Sequence, residues 1–330
     1  MKAIVHRKYG LPNDVLQLEE VSKPIPGDDK VLVEVHAASV VYSDSAFVIG
    51  KPFLVRLIGS GLLKPKHKIP GSNIAGRVEA VGRDVKQFQQ GDEVFGDISD
   101  CGRGGFAEYI AAPENALVLK PTKITFEEAA AVPQAAVVAL QGLRMGQIQP
   151  GQKVLINGSS GGIGTFAVQI AKSFGAEVTG VCSTRNLDMV RSIGADQVID
   201  YTKEDFARSG QQYDLIIATA GYRSIFDYKR ALSPRGIYVM TGGSMAQVFQ
   251  SMLGPLISMT GSKKMGNLAA RSNQKDLVFI KELIEAGKVK PVIDRNYPLS
   301  EVAEALQYYG EGHSRGIVVI TVKHDNTTDM

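Results

Sequence analysis

An apolar run, Lys153-Val154-Leu155-Ile156-Asn157, leads into Gly158-Ser159-Ser160-Gly161-Gly162-Ile163-Gly164, and a helical pattern follows at once with Thr165-Phe166-Ala167-Val168. Strand, glycine loop and helix in that order suit a diphosphate. Its oxygens must come close to backbone N–H groups, which a Cβ would obstruct, and a helix N-terminus adds free donors and partial positive charge. Gly162 is placed for the close approach and Gly164 for packing the helix on the strand. Ser160, Gly161, Gly162, Ile163 and Gly164 are therefore the candidate phosphate contacts. A tight β–α turn without a ligand would use the same glycines, but the surrounding βαβ pattern argues for a dinucleotide.

The second clue lies at the next strand tip. NAD-binding folds carry an Asp or Glu about 20 residues beyond the glycines, where it holds the ribose 2′-hydroxyl. Here Glu177–Cys182 ends in Ser183-Thr184-Arg185-Asn186, with no acid. Two hydroxyls, a guanidinium and an amide all have protons to give a phosphate, which favours the 2′-phosphate of NADPH. A solvated loop arginine is the alternative for Arg185. Two further strand ends, Ala218-Thr219-Ala220-Gly221 and Thr241-Gly242-Gly243, put Ala220, Gly242 and Gly243 at the ligand edge of a parallel sheet. Simple turn glycines are the alternative there. Arg315 is a candidate phosphate contact from the C-terminal part, with a surface salt bridge as the competing reading.

These residues need elements to hold them. Residues 124–268 alternate strand and helix, which predicts a doubly wound parallel sheet, a Rossmann domain. Thr125-Phe126-Glu127-Glu128 has capping-box spacing and opens an Ala-rich helix running toward Leu143. Residues 1–123 read instead as short strands with Gly and Pro turns, including Lys2–His6, Val31–Ala38, Gly76–Val81 and Glu93–Phe95, a pattern that predicts a compact β-barrel. A helix at Leu277–Ala286 and a strand at Gly316–Val322 return the chain to it. The predicted organisation is a barrel domain of residues 1–123 and 269–330, interrupted by a dinucleotide-binding domain of residues 124–268.

Composition narrows the function classes. The chain has 330 residues, 37 Lys+Arg against 34 Asp+Glu, and a formal charge of +3. A surplus that small gives no footprint for nucleic acid or an anionic membrane. No apolar stretch reaches the ~20 residues of a membrane span. Met1-Lys2-Ala3-Ile4-Val5-His6-Arg7 turns polar too early for a signal peptide, and two cysteines, Cys101 and Cys182, form no disulfide pattern. The expectation is a cytoplasmic protein with no integral membrane segment.

Taken together, several stretches resemble the medium-chain dehydrogenase/reductase superfamily, on its quinone-oxidoreductase side. They are Ile69–Gly82, Gly91–Gly96, Gly104–Tyr109, the glycine loop, Gly194–Tyr201 and Gly312–Gly316. The resemblance covers nearly the whole chain and implies a GroES-like catalytic domain interrupted by a Rossmann domain. Zinc-dependent members carry a Cys just after the Val31–Ala38 strand and a His-Glu pair after Pro-Gly. Here those places read Ala38-Ser39-Val40-Val41-Tyr42-Ser43-Asp44 and Gly71-Ser72-Asn73, and only Cys101 lies where a cysteine lobe would be, so no metal is expected. Quinone-reductase relatives often have Asn-Pro at Val41-Tyr42, Thr at Val138 and Lys at Ile317. Arg56–Lys66 looks like a subgroup labelled as alcohol dehydrogenases.

The resemblance places Tyr42 and Asp44 beside the nicotinamide pocket. Tyr42 is the candidate catalytic residue, orienting a carbonyl, with a packed loop aromatic as the alternative. Asp44 reads as an anchor for the local backbone. Tyr201 is implied to flank the adenosine ribose or its phosphate. Met240, Met245, Met252, Met259 and Met265 read as core filling, with a pocket or subunit interface as the alternative. Family members are frequently homodimers, and Lys264–Ala269 is the strand to examine. The implied activity is NADPH-dependent, zinc-independent reduction of a quinone or an enone (an α,β-unsaturated carbonyl). The competing reading is a nucleotide-binding redox sensor or partner-binding protein with little or no catalysis.

Overall fold

The structure, a computed structural model, describes residues 1–324 except 54, 58–60, 222, 244, 252–253, 255–257 and 259–261. Ile58-Gly59-Ser60 of the Arg56–Lys66 stretch, Met252 and Met259 lie outside the described residues. The chain forms two compact units, residues 1–134 with 272–281 and 293–330, and residues 135–271 with 282–292.

The first unit is built on one long strand, Lys30–Val40. Its alternating valines face the core, and Val31, Val33 and Val35 are fully buried. Asn73–Val81 pairs along one side. On the other side Tyr109–Pro113 pairs with the first half and Ile317–Thr321 with the second. Ile293–Pro298, Glu93–Asp97 and Leu117–Leu119 complete a seven-stranded sheet, antiparallel except where Ile293–Pro298 joins Ile317–Thr321. Register shifts at Leu32/Val33 and Val35/Ala37 bend the long strand.

The Thr125 capping box forms, with Glu128 N donating to Thr125 Oγ1 at 3.2 Å and Thr125 N to Glu128 Oε2 at 3.0 Å. The single Ala-rich helix expected from it is two, Phe126–Ala130 and Pro133–Met145. Pro133 lacks an N–H and disfavours helical geometry in the residue before it, so it starts a new helix instead of continuing the first. The Phe126–Ala130 helix packs on Lys30–Val40 and Asn73–Val81, which puts it in the barrel unit and moves the division from residue 124 to 135.

The second unit holds six parallel strands, numbered within it β1 (Lys153–Asn157), β2 (Glu177–Cys182), β3 (Gln197–Asp200), β4 (Tyr213–Ala218), β5 (Leu232–Met240) and β6 (Lys264–Asn267). Their order across the sheet is β3-β2-β1-β4-β5-β6. The chain starts in the middle, winds one way and returns to wind the other, so the direction reverses between β1 and β4. A crevice opens at the carboxyl ends of the strands there, the place where such sheets take ligands. Leu155, Val181, Ile216, Tyr228 and Tyr238 anchor the core on the way, with Met240 and Met265 buried in the same cluster, as core filling requires.

Candidate cofactor site and barrel-unit polar cluster

The glycine loop leaves β1 at that crevice. Gly158 has φ +86°, and a Cβ there would stand 2.6 Å from Thr219 Oγ1. Gly161 caps the Gly162–Ser173 helix in extended geometry with no side-chain hydrogen bond, so the first-turn N–H groups face out uncapped. Gly164 has no room at all. A Cβ would lie 2.1 Å from Gly158 O and 2.8 Å from the Ser159 Cα. The loop is thus pressed against the helix it feeds, and a cradle of free donors is left at the sheet edge.

The opposite wall comes from β4 and β5. Thr219 Oγ1 donates to the carbonyls of Asn157 and Gly158, both at 3.0 Å. Asn157 Nδ2 donates to Ala220 O at 2.9 Å and to the buried Tyr228 hydroxyl at 2.8 Å. Gly242 N bonds Ala218 O at 3.3 Å, and Gly242 passes so close that a Cβ would be 2.6 Å from Thr219 O. Ala220, Gly242 and Gly243 therefore sit together at the carboxyl edge. Asn157 and Thr219, which tie the two sides of the crevice, escaped the sequence reading. A polar residue closing an otherwise apolar strand was their signal.

The tip of β2 forms a second corner. Ser183 leads into a turn of 3-10 helix at Thr184–Asn186. Asn186 is buried and its Nδ2 donates to Ser160 Oγ at 2.9 Å, which ties the corner to the glycine loop, and to Ser183 Oγ at 3.3 Å. Its Oδ1 is buried without a partner. Thr184 Oγ1 donates to Asp200 Oδ2 at 2.5 Å. Thr184 and Asn186, both read as phosphate donors, are thus already engaged within the protein. Asp200 ends β3 in register with Cys182, the last residue of β2, so a carboxylate stands beside the β2 tip, held by the residues around it. Thr202 holds the other carboxylate oxygen through its N–H at 3.0 Å and its hydroxyl at 2.7 Å. These hydrogen bonds, that of Thr184 first, hold the Asp200 carboxyl below its usual range. Burial pushes the Cys182 thiol up to about 11, so it stays neutral. Tyr201 N bonds Cys182 O at 3.1 Å, and its exposed ring stands at this corner. Arg185, within the Thr184–Asn186 turn, is exposed.

In the barrel unit Tyr42 opens the Tyr42–Ile49 helix with its ring exposed, against the packed-aromatic alternative. Asp44, two residues on, is fully buried and anchors the backbone, accepting from Val41 N at 3.1 Å. Ser72 Oγ donates to the same carboxylate at 2.6 Å, and Arg103 Nη1 reaches it at 2.8 Å. The Arg103 guanidinium lies 3.7 Å over the Phe47 ring. In the stretches where the resemblance would place zinc ligands, Ala38–Asp44 and Gly71–Asn73, this chain buries Val41, Ser72 and Asn73, and Arg103 is buried against Asp44. Among the described residues no group of three His, Cys, Asp or Glu could hold a metal ion. Val318 pairs with Val40, so Arg315, exposed ahead of that strand, lies at the same end of the pair as Tyr42.

The residues of the second unit fit a dinucleotide. Loop positions that a Cβ would fill, an uncapped helix start and an orphaned Asn186 acceptor converge on one sheet edge, at a topological switch point. Fold and site together define a two-unit protein with a dinucleotide-binding sheet. Residues 27–122 match the alcohol dehydrogenase GroES-like domain family, and residues 193–320 match the zinc-binding dehydrogenase family. The quinone-oxidoreductase QR1, chloroplastic, of Triphysaria versicolor is 34% identical, covering 97% of this chain and 98% of its own. The NADPH-dependent alkenal/one oxidoreductase, chloroplastic, of Arabidopsis thaliana is 33% identical, covering 97% and 79%. The solved structure of the quinone oxidoreductase from Coxiella burnetii superposes with a TM-score of 0.86 at 28% identity, covering 98% of this chain and 99% of that one. The chain belongs to the medium-chain dehydrogenase/reductase superfamily, in its quinone-oxidoreductase-like subgroup. It is an oxidoreductase that uses a nicotinamide cofactor.

Proposed function

We propose that this enzyme transfers hydride from NADPH to quinones or α,β-unsaturated carbonyls without zinc. The observation that carries the reading is the uncapped glycine loop of the second unit; within the first unit, Asp44, Ser72 and Arg103 form a buried polar cluster in the stretches where the resemblance would place zinc ligands. Ser160 to Gly164 would hold the diphosphate on backbone N–H groups, and Tyr201 would flank the adenosine. Arg185, with the Ser183 hydroxyl, would take the 2′-phosphate. Ala220, Gly242 and Gly243 would leave room for the nicotinamide half. Arg315 is assigned as a further phosphate contact. The bound cofactor supplies the hydride.

Alcohol oxidation needs an alkoxide stabilised, the work of a Lewis acid, and these residues offer no metal ligands for it. A conjugated carbonyl takes hydride at its remote carbon while charge builds on oxygen. The exposed Tyr42 hydroxyl is assigned to donate to that oxygen, and water completes the protonation. Relatives named for quinone and alkenal/one reduction support this substrate class. Steady-state assays with NADPH and a panel of quinones and enones, against NADP and short alcohols, test it. Faster turnover of alcohols in metal-free protein would overturn it. Two unpaired cysteines support a reducing, cytoplasmic setting. The edge strand β6, which among the described residues pairs only with β5, supports a homodimer extended at that edge, to be checked by light scattering.

A further inference from the structure

The small overall charge conceals one strongly uneven stretch. Residues 51–68 hold five Lys or Arg (Lys51, Arg56, Lys64, Lys66 and Lys68) and no Asp or Glu. Outside that stretch acids outnumber bases. The same stretch exposes four large apolar side chains, with Phe53 and Leu57 each 59% exposed, Leu62 52% and Leu63 85%. A cluster of large apolar side chains displayed this openly in a folded chain marks a binding surface.

The described parts of the stretch gather around Tyr9. Arg56 lies 4.4 Å over the Tyr9 ring, and its Nε donates to Gly50 O at 2.9 Å. The Tyr9 hydroxyl donates to Gly61 O at 2.5 Å. Leu57 follows Arg56 in the chain and Leu62 follows Gly61, so this post holds the apolar residues near one another. Lys64, Lys66 and Lys68 are exposed just beyond them. Leucine and phenylalanine side chains rimmed by lysines, with no acid among them, complement an interface of acyl chains under anionic headgroups. A second copy of the chain offers no comparable negative field, because its acid excess outside this stretch is slight.

We propose that Phe53, Leu57 and residues 61–68 form a peripheral docking surface for anionic lipid membranes, with Phe53, Leu57, Leu62 and Leu63 entering the headgroup region and the lysines holding the phosphates. This inference stands on its own residues and does not depend on the substrate reading.

Flotation of the full chain with phosphatidylcholine vesicles, and with vesicles one third phosphatidylglycerol, tests it directly. Binding is expected to the anionic vesicles alone and to weaken with added salt. The variant Lys64→Gln/Lys66→Gln/Lys68→Gln should partition on the order of a hundredfold less. Leu62→Gln/Leu63→Gln should lose binding as well, with thermal unfolding unchanged because both side chains are exposed. Absence of vesicle binding, equal binding to neutral vesicles, or binding indifferent to either variant overturns the proposal. So does a dimer that Leu62→Gln/Leu63→Gln dissociates in the absence of vesicle binding, since the patch would then join copies of the chain.

Discussion

Replacing Arg103 with alanine should destabilise the barrel unit in a strongly pH-dependent way. Arg103 and Asp44 are both nearly inaccessible, with side-chain exposures of 6% and 0%. Removing one partner of a buried pair strands the other charge and costs about 3–5 kcal/mol, whereas removing both is close to neutral. For a unit of this size that loss lowers the melting temperature by about 6–20 °C. Burial raises the Asp44 carboxyl above its ordinary range, and Arg103 is the strongest influence opposing that rise. Without Arg103 the folded value climbs further. A carboxyl with a raised folded pKa keeps a proton that the unfolded chain has already lost, so stability falls as pH rises from about 4 through the folded value. Arg103→Ala should therefore lie closest to the parent below pH ~4 and fall steadily behind it toward neutrality. Thermal unfolding across that range, followed for the barrel unit and repeated with Arg103→Met/Asp44→Asn, measures both features. A gap that does not change with pH, or a double variant no better than Arg103→Ala, would refute the reasoning.

Gly164→Ala drives a Cβ onto the Gly158 carbonyl. It should cost about 1–3 kcal/mol in the nucleotide unit and weaken NADPH and NADH alike by at least tenfold, as read by calorimetry and fluorescence titration. Asn186→Asp keeps an acceptor at the β2 tip and adds a charge. NADPH affinity should drop tenfold or more while NADH affinity holds, and parallel losses would remove Asn186 from the ribose corner. Tyr42→Phe should lower turnover on the order of tenfold with cofactor affinity unchanged, which single-turnover rates and titration separate.

The alternation of strand and helix was plain in the chain because strands such as β1, β2 and β4 of the nucleotide sheet are short, largely apolar runs; Lys153–Asn157 and Glu177–Cys182 end where the residues change character. The glycine loop was equally legible, since strand, loop and helix adjoin in sequence. The Asp200 carboxylate was not, although Val198-Ile199-Asp200-Tyr201 stood in view. Its place beside Thr184 depends on the parallel register of β2 and β3, which local sequence does not encode. The Asp44–Ser72–Arg103 cluster joins residues far apart in the chain, and nothing local marks Arg103 as buried. Tyr42–Ile49 was missed as a helix because its cap is the Asp44 carboxylate on the Val41 N–H, with no Ser or Thr at the cap to announce it.

The central claim is that hydride passes from NADPH to the remote carbon of a conjugated carbonyl. Single turnover of metal-free enzyme with NADPH deuterated at C4 of the nicotinamide, an enone as acceptor and mass and NMR analysis of the product tests it most directly. The account predicts one deuterium on the β-carbon of a saturated ketone. Deuterium on the carbonyl carbon of an unsaturated alcohol, or none in the product, would contradict it.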